Sequence, residues 1–423
     1  MRTAAAPGKG APPAALPAGC WRALAFIALA QVGGMSTWFS AAAVAPALAR
    51  DWGLSPAQLG LLTVAVQIGF VAGALAAAIS GAADVLGTRA VFVAGALAAA
   101  AANGLLVLAD GRLPVAIALR FALGFCLAGV YPTGMKLVAG WFRQRRGLAI
   151  GTLVGALTLG SALPHLIAGV GLAGQLSWQA VIAATSLAAL AAASVVAIFV
   201  QRGPFEAPSA RVDLGWAVRS LRDPALRLAN LSYFGHMWEL YAMWTWLPTF
   251  LLASLRAGLP PGDPAASRLA SLAAALVIGA GALGCVAAGL AADRIGRTIT
   301  ASAAMMVSGA SAVLTGLLFG QAPGLVIAIA LIWGISIVAD SAQFSAAISE
   351  LAAPERVGSA LALQTALGFL LTAVSIQLLP YTQAWIGWQG AFALLAIGPA
   401  CGVVAMLRLR RRPEALRLAG GRR

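Results

Sequence analysis

The chain has 423 residues, of which 61% are hydrophobic and 10% are charged, and its mean hydropathy is +0.90. Globular domains carry roughly 25% charged residues, so this composition excludes a water-soluble protein of this size. The formal net charge of +15 would also suit a nucleic-acid-binding protein. The positions of the basic residues, described below, exclude that function.

The first 21 residues, rich in Ala, Pro and Gly, are predicted to form a disordered tail. They are followed by twelve apolar segments, each long enough to cross a bilayer as a helix of about 20 residues. Glycine and alanine recur inside these segments, where small side chains allow helices to approach closely. The predicted spans are 22–48, 57–80, 88–109, 114–140, 147–171, 178–200, 225–252, 269–292, 298–320, 323–349, 357–380 and 388–407.

Basic residues are distributed unequally between the two sides of this arrangement. Twenty-two of the 28 lysines and arginines lie in predicted cytoplasmic segments or at the cytoplasmic ends of spans, four lie outside and two lie deeper within spans. The positive-inside rule therefore places both termini in the cytoplasm, with the basic side chains close to lipid headgroups. The high alanine content and 26 arginines against two lysines indicate a GC-rich bacterial genome, and hence a multi-pass protein of the bacterial inner membrane.

A short polar turn after span two, Ser80 to Arg89, is repeated after span eight as Gly289 to Thr298. Asp84 and Asp293 occupy matching positions 209 residues apart, and the prolines that open spans four and ten repeat this offset. Such a repeat predicts two similar halves of six spans each. The predicted domains are a six-helix bundle at 22–200, a central cytoplasmic loop at 201–224, a second bundle at 225–407 and a basic cytoplasmic tail at 408–423.

Six ionisable side chains lie inside the predicted spans, where a charge at the bilayer centre costs roughly 2.5 to 3.5 kcal/mol. Glu239 lies near the middle of span seven, and His236 lies one helical turn before it on the same face. A carboxyl group in a low dielectric favours its neutral form, and an imidazole can share or relay its proton. The pair predicts proton coupling, and a neutral pair that only joins helices is the alternative.

The other four ionisable groups, Arg120, Lys136, His165 and Asp340, have competing interpretations. Arg120, in the outer part of span four, can bind an oxyanion or take part in proton transfer, or it can simply pair inside the bundle. Lys136, near the inner end of that span, can extend to the interface or pair with Asp340 of span ten. His165, beside Pro164, is expected either to line the cavity or to bond carbonyls freed by the proline.

The two six-span halves, the central loop and the second turn together resemble the major facilitator superfamily. The second turn matches the family pattern completely, at Gly289, Asp293, Arg294, Gly296 and Arg297. The first turn keeps Asp84, Gly87 and Arg89, whereas Ser80 replaces a glycine and both Val85 and Thr88 replace basic residues.

Span four adds a second similarity, because Arg120 to Ala128 resembles the family's pattern there, with Cys126 in place of a glycine. The resemblance implies an all-α integral membrane fold of twelve transmembrane helices in two pseudo-symmetric six-helix bundles. It also implies alternating access, with both turns latching the cytoplasmic side while the outside is open. For the first turn, a role in topology alone is the alternative.

These features predict a secondary active transporter that moves a small solute, without a cofactor. The candidate residues for substrate binding and proton coupling are Gln31, Trp38, Arg120, Tyr131, His236, Glu239, Trp244 and Asp340. The cations inside the membrane favour a small organic or inorganic anion taken up with protons. A proton-coupled efflux antiporter for drugs or metabolites is the first alternative, and a non-transporting membrane sensor on the same fold is the second.

Nothing in the sequence indicates an enzyme. It contains no nucleophile with a nearby base, no nucleotide-binding loop and no metal-binding cluster, and its four cysteines are scattered without metal or disulfide spacing. We therefore expect no catalytic residues, no metal and no nucleic acid. The expected partners are the solute, protons and membrane lipids, and the expected oligomeric state is a monomer.

Overall fold

The computed structural model describes residues 16–143, 145–171, 176–206, 212–258 and 264–423. Residues 1–15 of the predicted disordered tail and residues 207–211 of the central loop lie outside the described residues. Within the described ranges the elements are α-helices and short 3-10 helices. An all-helical fold is expected for a chain in lipid, because a helix satisfies its backbone hydrogen bonds within one segment.

The first half begins with a broken span, formed by Cys20–Met35, Ser40–Ala43 and Ala45–Trp52. Its other five spans are Pro56–Ser80, Thr88–Ala109, Leu113–Trp141, Arg146–Gly171 and Trp178–Phe199. The second half contains Pro224–Gly258, Pro264–Ile295, Arg297–Leu317, Pro323–Leu351, Val357–Leu395 and Ile397–Arg410. Shorter helices are Ala82–Val85, Leu214–Ser220, Pro354–Arg356 and Pro413–Gly421.

In the described part of the chain, nine helical segments are long and apolar enough to cross a membrane. One of them, Pro354–Arg410, holds two spans, because Gly387 has φ 71° and breaks the helix there. The first span is divided by its break into shorter pieces, and the seventh, Pro224–Gly258, carries polar side chains within its apolar sequence. With these three, the structure confirms the twelve predicted crossings.

Local sequence explains where individual spans start. The second span begins with a capping box, in which Ser55 Oγ accepts from the Gln58 backbone N–H at 3.3 Å and Gln58 Oε1 accepts from the Ser55 N–H at 2.8 Å. Pro56 occupies the first helical position, where its missing N–H costs nothing. The eighth span continues further than predicted, to Ile295.

The two halves meet through the fifth and eighth spans and through the second and eleventh spans. Small residues line the first of these contacts, where Gly155 faces Ala282 and Gly279 faces Ala162. Small side chains allow close helix approach in lipid, where apolar surface alone drives no association. The central loop and the basic tail lie at one end of the bundle, which we call the loop face.

Candidate transport site

Glu239 is buried in the seventh span, with 1% of its surface exposed. Its Oε1 accepts a hydrogen bond from Trp333 Nε1 at 2.7 Å, and its Oε2 accepts one from Ser308 Oγ at 2.9 Å. Trp333 belongs to the tenth span and Ser308 to the ninth, so the carboxyl group joins three helices of the second half. Because the Ser308 hydroxyl can donate or accept, the site can hold Glu239 either ionised or protonated.

His236 forms a second polar site one turn away. Its Nδ1 lies 2.8 Å from Asp340 Oδ1, its Nε2 lies 3.0 Å from Ser341 Oγ, and the His236 and Asp340 side chains are both buried. In this structure His236 therefore pairs with Asp340 of the tenth span, whereas its spacing had suggested Glu239 as the partner. The tenth span thus supplies two partners to the seventh, Trp333 for Glu239 and Asp340 for His236.

Arg120 is 1% exposed, and all three of its guanidinium nitrogens are engaged within the first half. Its acceptors are the backbone carbonyls of Leu62, Thr37 and Trp38, the hydroxyl of Ser40 and the side-chain oxygen of Asn103. Each of these acceptors is neutral. Within the part of the chain that the structure describes, no carboxylate bonds this guanidinium, so its charge is stabilised by dipoles alone.

Lys136 forms an ion pair with Asp84 at the loop face, and both side chains are partly exposed. The alternative that Lys136 pairs with Asp340 is not realised in this structure, because Asp340 lies against His236 and Lys136 pairs with Asp84. The first turn is shaped by Gly87, which has φ 88°, and Arg89 donates from Nη2 to the Ala197 carbonyl of the sixth span. The first turn is therefore bonded to other helices of its own half.

The second turn is organised around Arg297. Its Nε and Nη2 donate to Glu350 Oε2 and Oε1 at 2.8 and 2.6 Å, and its Nη1 donates to Gln343 Oε1 at 3.1 Å. The reversal occurs at Gly296, where φ is 91°. Gly289, Asp293 and Arg294 lie in the last turns of the eighth span, with Asp293 and Arg294 exposed.

Gln31 and Tyr131 lie on the first and fourth spans. Gln31 is fully buried against Gly134, and neither its amide nitrogen nor its amide oxygen has a hydrogen-bond partner among the described residues. Tyr131 is half-buried and begins the segment of the fourth span that ends at Trp141. His165 is buried, and neither of its ring nitrogens has a partner in the described part of the chain.

Trp38 and Trp244 belong to a cluster of six aromatic rings between the halves, which we call the aromatic bridge. Its members are Trp38, Phe39, Phe70, Tyr241, Trp244 and Phe369, each at most 5% exposed. The first three come from spans one and two, and the other three come from spans seven and eleven. Both indole N–H groups in the bridge lack an acceptor among the described residues.

The family model described as Major Facilitator Superfamily matches residues 26–375 of the chain. The chain belongs to the major facilitator superfamily. A search of curated proteins gave no match.

Solved transporters share the fold of this superfamily member. The xylose transporter XylE from E. coli, in a partially occluded inward-open conformation, has a TM-score of 0.72 at 13% identity, with 93% of this chain and 98% of the other covered. A D-xylose–proton symporter has a TM-score of 0.72 at 16% identity, with coverage of 93% and 99%. A variant of the nucleoside transporter NupG has a TM-score of 0.72 at 14% identity, with coverage of 92% and 99%.

Family membership confirms a multi-pass membrane transporter for a small solute, as the sequence predicted, and indicates a transporter rather than an enzyme. The roles of individual site residues stay predictions. Two residues of the site were not foreseen, Trp333 and Ser308. Trp333 lies seven residues before Asp340, two helical turns away on the same face, and this spacing was a usable signal.

Proposed function

We propose that the protein is a proton-coupled secondary transporter that works by alternating access in the bacterial inner membrane. The loop face is cytoplasmic in this proposal, so both termini lie inside, and the protein acts as a monomer surrounded by lipid. The basic residues at the loop face support this orientation. The two turns at that face are proposed to latch the cytoplasmic side.

The observation that carries proton coupling is the environment of Glu239. This carboxyl group is buried among three helices and bonded by neutral donors. An ionised carboxylate without a paired cation is costly in such a place, whereas a protonated one is not. Proton binding and release at Glu239 would therefore change how strongly the seventh, ninth and tenth spans hold together.

The His236–Asp340 pair extends this arrangement. Glu239 and His236 lie one turn apart on the seventh span, and their partners Trp333 and Asp340 lie two turns apart on the tenth span. A proton bound at one site would therefore change the packing of the same two helices that hold the other site. We propose that the two sites titrate together during the transport cycle.

For the substrate we propose a small organic or inorganic anion taken up together with protons. Support comes from Arg120, whose charge is balanced only by neutral dipoles within the described residues. An uncompensated cation in a low dielectric creates a positive potential that acts over several ångströms. Such a potential would favour an anion at the midplane without direct contact.

Efflux of drugs or metabolites in exchange for protons is the second candidate function. It is favoured by the aromatic side chains of the seventh span, of which Tyr241 and Trp244 lie in the aromatic bridge. Aromatic rings offer apolar contact area to a lipophilic solute and attract cations to their faces.

A proteoliposome assay tests the proposal. Counterflow would be measured with a panel of carboxylates, inorganic anions, neutral sugars and lipophilic cations, first without and then with an inward proton gradient. We expect gradient-driven uptake of an anion, and we expect Glu239→Gln to remove the effect of the gradient while counterflow persists. The matched control is Glu355→Gln, which changes an exposed carboxyl group at the loop face.

Two results would contradict the proposal. Wild-type pH dependence in Glu239→Gln would exclude this carboxyl group as a coupling site. Outward movement of lipophilic cations against an inward proton gradient would favour the efflux function.

A further inference from the structure

The aromatic bridge joins the two halves through ring contacts. The Trp38 ring centroid lies 4.9 Å from that of Phe70 in its own half, and 5.9 and 5.6 Å from those of Tyr241 and Phe369 in the other half. Phe70 also meets Phe369 at 4.8 Å. Paired rings at 4.5 to 7 Å stabilise each other beyond their buried area. The bridge is thus a close-packed contact across the plane where the halves must separate.

Phe39 and Trp244 complete the bridge. Their centroids lie 5.6 Å apart in an edge-to-face arrangement, and Trp244 also lies 5.5 Å from Tyr241. The halves also meet between the bridge and the face opposite the loop face. There Gln377 Nε2 donates to the Ala57 carbonyl at 3.2 Å, and Trp246 packs against Gly60.

The bridge depends on a break in the first span. Between Met35 and Ser40 the regular helix stops, and the Trp38 N–H bonds the Met35 carbonyl at 3.1 Å, only three residues back. The break orients the side chains of Trp38 and Phe39 toward the other rings of the bridge. Freed backbone carbonyls are tolerated at membrane depth only where other protein groups bond them.

Arg120 supplies those bonds. Its Nη1 donates to the Thr37 carbonyl at 3.2 Å and its Nη2 donates to the Trp38 carbonyl. The same Nη1 bonds Ser40 Oγ at 3.1 Å, just after the break. One planar guanidinium therefore holds both sides of the break, which an ammonium group with a single nitrogen cannot do as fully.

We propose that the aromatic bridge is the outer gate of the transport path, and that Arg120 is a positioning residue that holds Trp38 and Phe39 in it. This inference rests on the proposed orientation and on alternating access. It gives Arg120 a role that needs no contact with the substrate or with the coupling proton.

The two indole groups of the bridge destabilise the closed form of the gate. A buried N–H without an acceptor costs free energy, and among the described residues neither the Trp38 nor the Trp244 indole N–H has one. Water or a solute that enters from outside can accept from both. The closed gate is therefore less stable than a purely hydrocarbon contact of the same area would be.

Cysteine labelling from outside tests the gate without any knowledge of the substrate. The four native cysteines would be replaced by alanine, and Thr63→Cys would serve as the reporter. Thr63 is 1% exposed and lies between Gly60 and Phe70 on one face of the second span, so a probe from outside reaches it only when the halves separate there. The probe is a membrane-impermeant maleimide added to intact cells.

We expect slow labelling of the reporter in the parent protein and an increase of about tenfold or more when Phe39→Ala opens the bridge. Arg120→Gln should give a similar increase, because it releases the break. Arg120→Lys should lie between Arg120→Gln and the parent, because it keeps the charge and only part of the bonding.

Two controls separate a gate from a general loss of structure. Phe26→Ala removes an aromatic pair with Phe199 at 4.8 Å inside the first half, and should leave labelling unchanged. A second reporter, Thr315→Cys, is fully buried near the outer end of the ninth span and should stay unlabelled in all variants.

Unchanged labelling of the Thr63→Cys reporter in Phe39→Ala would overturn the gate. An increase in Phe39→Ala without one in Arg120→Gln would overturn the positioning role. Labelling of both reporters in Arg120→Gln would show that Arg120 only stabilises the fold. Failure of proton coupling would affect none of these results, because labelling requires no transport.

Discussion

The two turns at the loop face each form an ion pair with another helix, but the charges of the two pairs are placed in opposite order. In the first half the turn carries the anion, Asp84, and the fourth span carries the cation, Lys136. In the second half the turn carries the cation, Arg297, and the tenth span carries the anion, Glu350. Each turn is thereby tied to the fourth helix of its own half. We call these two ion pairs the first lock and the second lock. The first turn departs from the family pattern, and its lock has the opposite charge order, because the cation lies on the fourth span and not on the turn.

The segments that follow each half show the same correspondence. After the sixth span, the Phe205 N–H bonds the Gly140 carbonyl at 2.9 Å, and Glu206 accepts from Thr88 of the first turn. After the twelfth span, the Ala419 N–H bonds Glu350 Oε2 at 3.0 Å, and Arg422 donates to the Asp293 carbonyl. Part of the basic tail therefore packs on protein, in addition to any contact with lipid.

Neither lock crosses between the halves in this structure. Resemblance to the family implied that the turns hold the cytoplasmic side closed. Here both ion pairs hold helices of one half together, so their effect on gating must pass through the rigidity of that half. The latch stays a prediction, and the following experiments compare its two copies.

The largest effect is expected from breaking the second lock. Arg297→Ala removes a bidentate, partly buried pair, and such charge-assisted bonds contribute about 1 to 3 kcal/mol. We expect apparent Tm in detergent to fall by several degrees and counterflow to decrease. The reversed pair Arg297→Glu with Glu350→Arg should recover part of both losses. Wild-type behaviour of the single variant would show that this lock contributes nothing.

A smaller effect is expected at the first lock, because the Lys136 ammonium pairs with Asp84 through a single nitrogen, whereas Arg297 pairs with Glu350 through two. Asp84→Asn should lower the transport rate, while the amount of protein in the membrane is unchanged. The double variant Asp84→Lys with Lys136→Asp gives this half the charge order of the second lock. Transport by the double variant near the parent rate would show that the two charges of the first lock can be exchanged. Unchanged transport in Asp84→Asn would leave the first turn with a role in topology alone.

The smallest effect concerns the connection between the halves. Asp213 begins the loop helix Leu214–Ser220, accepts from the Trp216 N–H at 2.8 Å and pairs with Arg356 at 2.7 Å. These hydrogen bonds hold the pKa of Asp213 below its ordinary value of 3.8. The stabilisation that the Asp213 carboxylate gives to this connection is therefore fully present above pH 3.8. It is lost as the pH falls through the lowered pKa.

Proteolysis of the central loop over a pH series measures this contribution. We expect cleavage of the parent to increase only at the acid end of the series. Asp213→Asn should raise cleavage at neutral pH and flatten the profile, because its amide is not an anion that Arg356 can pair with. A parent profile that is flat down to the lowest pH would contradict the assignment.

Sequence reasoning located the polar groups of the site but chose some of their partners wrongly. Spacing placed His236 and Glu239 on one face of the seventh span, and the structure keeps them there. The tenth span then presents Trp333 to one and Asp340 to the other. Which partner each group meets depends on how the tenth span is rotated and how deep it lies beside the seventh. The spacing of residues along the seventh span gives no information about either.

Arg120 shows the same limit. Its chemistry as a multiple donor was clear from its type, and an oxyanion or a partner in the bundle were the expected acceptors. Two of its five acceptors are the Thr37 and Trp38 carbonyls at a break in the first span. Gly33 and Gly34 precede that break and are a usable signal for it, but they do not specify which donor bonds the freed carbonyls, so the pairing could not be predicted.

The amino-acid sequence by itself determined the twelve spans, the two halves and the distribution of basic residues, because hydropathy, repeat spacing and charge are read along one chain. Only the tertiary structure decided that Asp84 pairs with Lys136, that Asp340 pairs with His236 and that six rings close the space between the halves. These contacts join helices far apart in sequence. Their geometry follows from how small residues let the helices pack, which no single segment specifies.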